Sequence, residues 1–156
     1  MTTTLKPSTL TVNISESVYI NGVDRGGQSI YKIDNIVYID NRILTITAAA
    51  DPTGGTGIIS FASGTGSGIH DAAKVKYIRF TNLDDTYAIV LNFLLTDTQY
   101  QNINLPANKS FIIGDTTALM DPDTDVNNFA LVDIVSVQGI SITTASKLEI
   151  YIASIA

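Results

Sequence analysis

The chain has 156 residues, 45% of them hydrophobic and only 15% charged, with a formal net charge of −6. One domain with a real core fits that length, and wholesale disorder is excluded by the apolar content. Nine Lys and Arg residues, scattered singly, make no basic stripe for a phosphate backbone, and the absence of cysteine removes disulfides, thiolate metal sites and thiol nucleophiles.

The charged fraction lies well below the roughly 25% of an ordinary soluble domain, and mean hydropathy is positive at +0.23. A surface that poor in charge is expected to be covered in part by neighbours, here in a homo-oligomer. Met1-Thr2-Thr3-Thr4 has neither the basic nor the apolar region of a signal peptide, and no apolar run is long enough for a membrane helix.

The first nine residues, Met1 followed by Thr2, Thr3, Thr4, Leu5, Lys6, Pro7, Ser8 and Thr9, hold little to bury and read as an extended arm. A single β domain is expected over 10–156. Leu10, Val12 and Ile14 alternate with Thr11, Asn13 and Ser15, the period of a half-buried strand. Ser17 to Asn21 continues in β-rich residues and stops at Asn21-Gly22, a turn dipeptide favouring positive φ. Three strands are expected next, over 29–33, 36–40 and 42–47, the last following a turn at Asp40-Asn41.

Asp51 to Gly68 is glycine-rich and reads as a long loop holding a short strand over 58–62. Val75 to Thr81 and Tyr87 to Leu95 are expected to form a hairpin, the second strand central because it is almost continuously apolar. Strands follow over 101–105 and 110–113, joined by Pro106-Ala107-Asn108-Lys109. After a polar stretch to Asn128, with a helical turn around 117–120, three more strands are expected over 128–137, 140–144 and 147–153. No window of helical length keeps a 3.6-residue period. The expected class is all-β, an antiparallel β-sandwich or jelly roll with most sequential strands paired as hairpins.

Chemistry is sparse. The lone histidine, His70, sits beside Asp71 and near a Gly64-Thr65-Gly66-Ser67-Gly68 run that lacks the lysine and helix of a phosphate loop. One histidine and no cysteine assemble neither a triad nor an ordinary zinc site, so no catalytic residue and no cofactor is assigned. Asp121, Asp123 and Asp125 alternate as at the start of a calcium loop, but Val126 and Val132 stand where that loop needs glycine and glutamate. A cation site of another kind and a solvated turn both remain open there. A carbohydrate-binding reading rests on Tyr87 and Tyr100, the two tyrosines near strand ends.

Lys76-Tyr77-Ile78-Arg79-Phe80-Thr81-Asn82, Leu105-Pro106-Ala107-Asn108-Lys109-Ser110-Phe111-Ile112-Ile113, Ile140-Ser141-Ile142-Thr143-Thr144 and Glu149-Ile150-Tyr151-Ile152-Ala153 resemble small virion structural proteins of tailed bacteriophages, particularly those of marine and cyanobacterial phages. The resemblance spans residues 75 to 153 and implies a β-sandwich with a place in the particle, assembled in the host cytoplasm. It transfers no catalytic residue. The resulting expectation is a capsid decoration or cement protein binding major capsid subunits or another virion protein, as a symmetric oligomer with a trimer favoured. A tail, baseplate or fibre component and a free carbohydrate- or cell-surface-binding module are the alternatives. Neither nucleic acid nor membrane is an expected partner. Contact is expected from the arm, Thr2 to Thr9, and from the loop Thr53 to His70, with Ile58, Phe61 and His70 as its contact side chains.

Overall fold

The computed structural model of the chain describes residues 6–51, 54–61, 69–96, 99–114 and 133–156. They form eleven strands: β1 (Ser8–Ser15), β2 (Tyr19–Ile20), β3 (Val23–Asp24), β4 (Gln28–Ile46), β5 (Thr56–Ser60), β6 (Val75–Asn82), β7 (Ile89–Leu95), β8 (Tyr100–Leu105), β9 (Ser110–Ile113), β10 (Ile134–Ser141) and β11 (Ser146–Ile155). One sheet runs β1-β4-β11-β6-β9, a second runs β5-β10-β7-β8, and β2 pairs only with β3.

The pairing is nested. Antiparallel ladders join β4 to β11, β5 to β10, β6 to β9 and β7 to β8, as in one long hairpin whose tip is the β7–β8 turn. Wrapping that ribbon sets β11 against β6 and β10 against β7. Two four-stranded layers result, β4-β11-β6-β9 and β5-β10-β7-β8, and the fold is a jelly roll with β1 added at one edge.

The expected hairpin of 75–81 with 87–95 does not form. β6 and β7 lie in different sheets, and the link between them crosses the sandwich. The three strands expected over 29–47 are one strand of 19 residues. Asn35 takes a φ of 62° in a bulge, where Ser8 pairs with Ile36 but Leu10 with Ile33, and Asp40 and Asn41 stay in register with Ile152 and Tyr151. Ile140 belongs to β10 rather than to a strand of its own. The helical turn expected around 117–120 lies outside the described residues.

The core fills the space between the layers. Ile78, Phe80, Leu148, Ile150 and Ile152 on one sheet meet Ile89, Leu91, Phe93, Leu95 and Val137 on the other. Phe93 stands edge-on to both Phe80 and Phe111, with ring centroids 6.2 and 6.1 Å apart. Gly139 lies opposite Leu91 in this layer, and a Cβ there would sit 2.9 Å from Ile46 Cδ1. A smaller cluster, Val12, Ile36, Tyr77 and Ala153 with Leu10 and Tyr31 against it, lies outside the sandwich. The long β4 makes it possible. The strand carries β1 past the end of its pairing with β11 and curls it over the outer face of β6 and β11.

The two longest motifs behind the phage resemblance meet at one buried side chain. Asn82 Nδ2 donates to Tyr87 O (2.9 Å) and Leu105 O (3.1 Å), and Asn82 Oδ1 accepts from Asp84 N (3.0 Å). The backbone adds Asn82 N to Lys109 O and Asn108 N to Asp84 O, with Asn108 at a φ of 58°. The turn after β6 and the lead-in to β9 are thus one structure, which is why those residues belong together.

Candidate interaction surface

Beyond Ser15 the β1–β4 ribbon continues as a projecting arm. Glu16 and Gly27 exchange both backbone hydrogen bonds, at 2.8 and 3.1 Å, and Arg25 N donates to Val18 O. The ribbon ends in the β2–β3 hairpin, whose turn is the expected Asn21-Gly22, both at positive φ (52° and 79°). Gly26 is required at its base, because a Cβ there would fall 2.0 Å from Glu16 O.

This arm is apolar and uncovered. Tyr19, Ile20 and Val23 are 70%, 55% and 51% exposed, and Val18, Ile14 and Ile30 are exposed as well. Burying one such side chain is worth about 1.5–3 kcal/mol, and an isolated two-stranded hairpin is only marginally stable. Six exposed large hydrophobics within Ile14 to Ile30 form the kind of patch that marks a protein contact.

Between β1 and the outer face of the sheet runs a groove of about 500 Å³, lined by Leu10 to Ile14, Asn41, Tyr77, Arg79, Ile112 and Tyr151. Arg79 Nη2 bonds Glu149 Oε2 at 2.9 Å, and its guanidinium carbon lies 5.7 Å from the Tyr151 ring centre. Burial, seconded by Tyr31 and Tyr151 and opposed by Arg79, pushes the Tyr77 hydroxyl pKa up. The phenol therefore stays neutral, and the groove is nearly uncharged.

The residues expected to make contacts distribute otherwise. Thr2, Thr3, Thr4 and Leu5 lie outside the described residues, as do Asp121, Asp123 and Asp125. Ser8 and Thr9 are not arm but the start of β1: Ser8 pairs with Ile36, and Thr9 Oγ1 donates to Asp34 Oδ1 at 2.7 Å. Only Lys6 and Pro7 of the described arm precede the sheet. Ile58 is a core residue, 2% exposed, and Phe61 packs against the same core. Ile58, in β5, is turned into the sandwich, where a side chain meets no partner, whereas Phe61, just past β5, is only partly buried.

His70 is also engaged. Its Nε2 lies 3.2 Å from Asp40 Oδ2, which Arg42 Nη1 approaches at 3.3 Å, while Arg42 Nη2 donates to Ile58 O at 2.7 Å. Asp40 alternates with Leu44 and Ile46 on the inner face of β4, so a carboxylate there needs these partners. The trio ties β4 of one layer to β5 of the other. Among the described residues the His70 ring takes Asp40 as its hydrogen-bond partner.

No protein-family model, curated protein or solved structure matches the chain. Among the described residues no group of three or more His, Cys, Asp or Glu is placed to hold a metal, and no helix is long and apolar enough to cross a membrane.

Proposed function

We propose that this chain is a virion structural protein, a capsid decoration or cement protein that stabilises the shell by binding major capsid subunits. The observation that carries the reading is the uncovered apolar arm: Val18, Tyr19, Ile20 and Val23 held out from a rigid jelly roll. A part that binds a shell needs such a contact element on a scaffold that does not deform. The sparse charge of the chain and its resemblance to phage virion proteins agree with that role, and jelly rolls serve in viral capsid and lectin domains alike.

A saccharide-binding module has less support. Tyr87 precedes β7, whereas Tyr100 pairs with Leu94 near its far end, so the two tyrosines stand about 20 Å apart by strand rise. They do not form one stacking platform.

Quantitative mass spectrometry of purified phage particles tests the proposal. A copy number equal to that of the major capsid protein, or a simple fraction of it, is expected. A few to a few dozen copies per particle would move the chain to the tail, baseplate or fibre, and absence from particles would overturn the virion reading.

A further inference from the structure

Among the described residues β1 is an edge strand, and no strand pairs with its free side. Ser8 to Ser15, Ser-Thr-Leu-Thr-Val-Asn-Ile-Ser, contains no charge and no proline, the usual devices that keep an edge from pairing with another chain. The direction of its backbone groups follows from the ladder. Glu16 and Gly27 exchange both hydrogen bonds, so by antiparallel alternation Ile14, Val12 and Leu10 also bond to β4. Thr11, Asn13 and Ser15 then point their N–H and C=O groups away from β4. Five consecutive residues, Leu10 to Ile14, line the groove, as a strand's open edge does and a single strand face does not.

We infer that the free edge of β1 is an interface between two copies of this chain, paired antiparallel about a twofold axis through Val12. The sequence is self-complementary in that register. Outward-pointing residues pair with outward-pointing residues, Thr11 with the partner's Asn13 and Thr9 with the partner's Ser15, and each such pair exchanges two backbone hydrogen bonds. On the face turned toward Tyr77 and Tyr151, Val12 meets the partner's Val12 and Leu10 meets the partner's Ile14, apolar cross-strand pairs of the favourable kind. A shift by one residue would set outward edges against bonded ones.

The pairing also accounts for two features that the single chain leaves open. Ile14 is 40% exposed at the end of an otherwise half-buried apolar row, and the partner's Leu10 covers it. Arg79 Nε is buried on the groove floor without an acceptor, beside the space that an incoming backbone with its carbonyls fills.

Other edges are less suited. β9 has four residues, β5 already bridges Ile69 through Ser60, and β8 points Asn102 and Asn104 outward. Two five-stranded sheets become one of ten strands, a twofold dimer rather than the trimer expected from sequence. The pairing is independent of any place in a virion.

The experiment uses the full chain. Light scattering across a concentration series should give the dimer mass for the wild type and half that mass for Thr11→Pro. Proline at this position removes an N–H that only the partner uses, so the far-ultraviolet circular dichroism should be unchanged. A wild type that stays monomeric, or a folded Thr11→Pro that stays dimeric, would overturn the inference.

Because the chain has no cysteine, single cysteines report the register even where the proline variant fails to fold. In a non-hydrogen-bonded pair the Val12 Cα atoms lie about 4.5 Å apart, within disulfide range. Those of Ile14 lie about 14 Å apart. Oxidation should link Val12→Cys into a covalent dimer and leave Ile14→Cys monomeric. Links in both variants, in neither, or in Ile14→Cys alone would overturn the register.

Discussion

Replacing Asn82 by alanine tests whether the turn after β6 and the lead-in to β9 are held by one side chain. The residue is fully buried, and its amide makes three hydrogen bonds, to Tyr87 O, Leu105 O and Asp84 N. Leu105 is itself buried, so its carbonyl finds no water and leaving it unpaired costs about 1–3 kcal/mol. Tyr87 O and Asp84 N lie in a more open turn and rehydrate, so each loses only the net value of a hydrogen bond, about 0.5–1.5 kcal/mol. Together the loss comes to about 2–6 kcal/mol, which at about 3 °C per kcal/mol for a domain of this length lowers Tm by about 6–18 °C. Thermal unfolding followed by circular dichroism measures it. Asn82→Asp should be no better, because a carboxylate facing two carbonyl oxygens replaces donors with repulsion. A fall of less than about 2 °C for Asn82→Ala would refute the assignment of Asn82 as the pin between the two segments.

Two further predictions concern packing and protonation. Gly139→Ala should destabilise the fold by about 1–3 kcal/mol in urea unfolding, since the new methyl meets Ile46 Cδ1 at 2.9 Å and Ile58 Cδ1 at 3.0 Å. Backbone N–H groups of Tyr87 and Thr86 bonded to Asp84 Oδ1 hold that carboxyl below its usual range. Its folded pKa is depressed, so the stability it contributes is present above the ordinary value of about 3.9 and is lost as pH falls through the lower folded value. The Tm difference between wild type and Asp84→Ala should therefore be constant at neutral pH and shrink on acidification below about pH 4. A difference that does not change with pH would refute the role of the charge.

Much of the fold was legible because alternation survives in single strands. Leu10, Val12 and Ile14 marked β1, Leu148, Ile150 and Ile152 marked β11, and the run through Ile89 to Leu95, apolar but for Asn92, marked a strand with neighbours on both sides. The gap read between 33 and 36 and the turn read at Asp40-Asn41 were overruled by context. Asn35 used its tolerance for positive φ in a bulge, and Asp40 was kept in the strand by Arg42 and His70. Periodicity carries no information on whether a short link turns back within a sheet or crosses to the other, so 82–86 was misread as a hairpin loop. For the same reason the exposed hairpin was not foreseen: Val18 to Val23 has the composition of a buried hairpin, and only tertiary placement leaves it exposed among the described residues.

The nested ladders also govern how the molecule comes into being. β11 is the last strand of the domain and yet lies between β4 and β6, in the middle of its sheet. Until it is synthesised, β4 and β6 have no common neighbour and the core half they carry has no floor. Among the described residues the β1–β4 ribbon with its β2–β3 tip and the β7–β8 hairpin close locally; the remaining rungs must add outward from the β7–β8 hairpin over ever longer loops. Nascent chains therefore accumulate apolar strands before any can be covered, and folding waits for translation of the whole domain. Shortening the chain within Ser146–Ile155 should yield no smaller folded core, only aggregates.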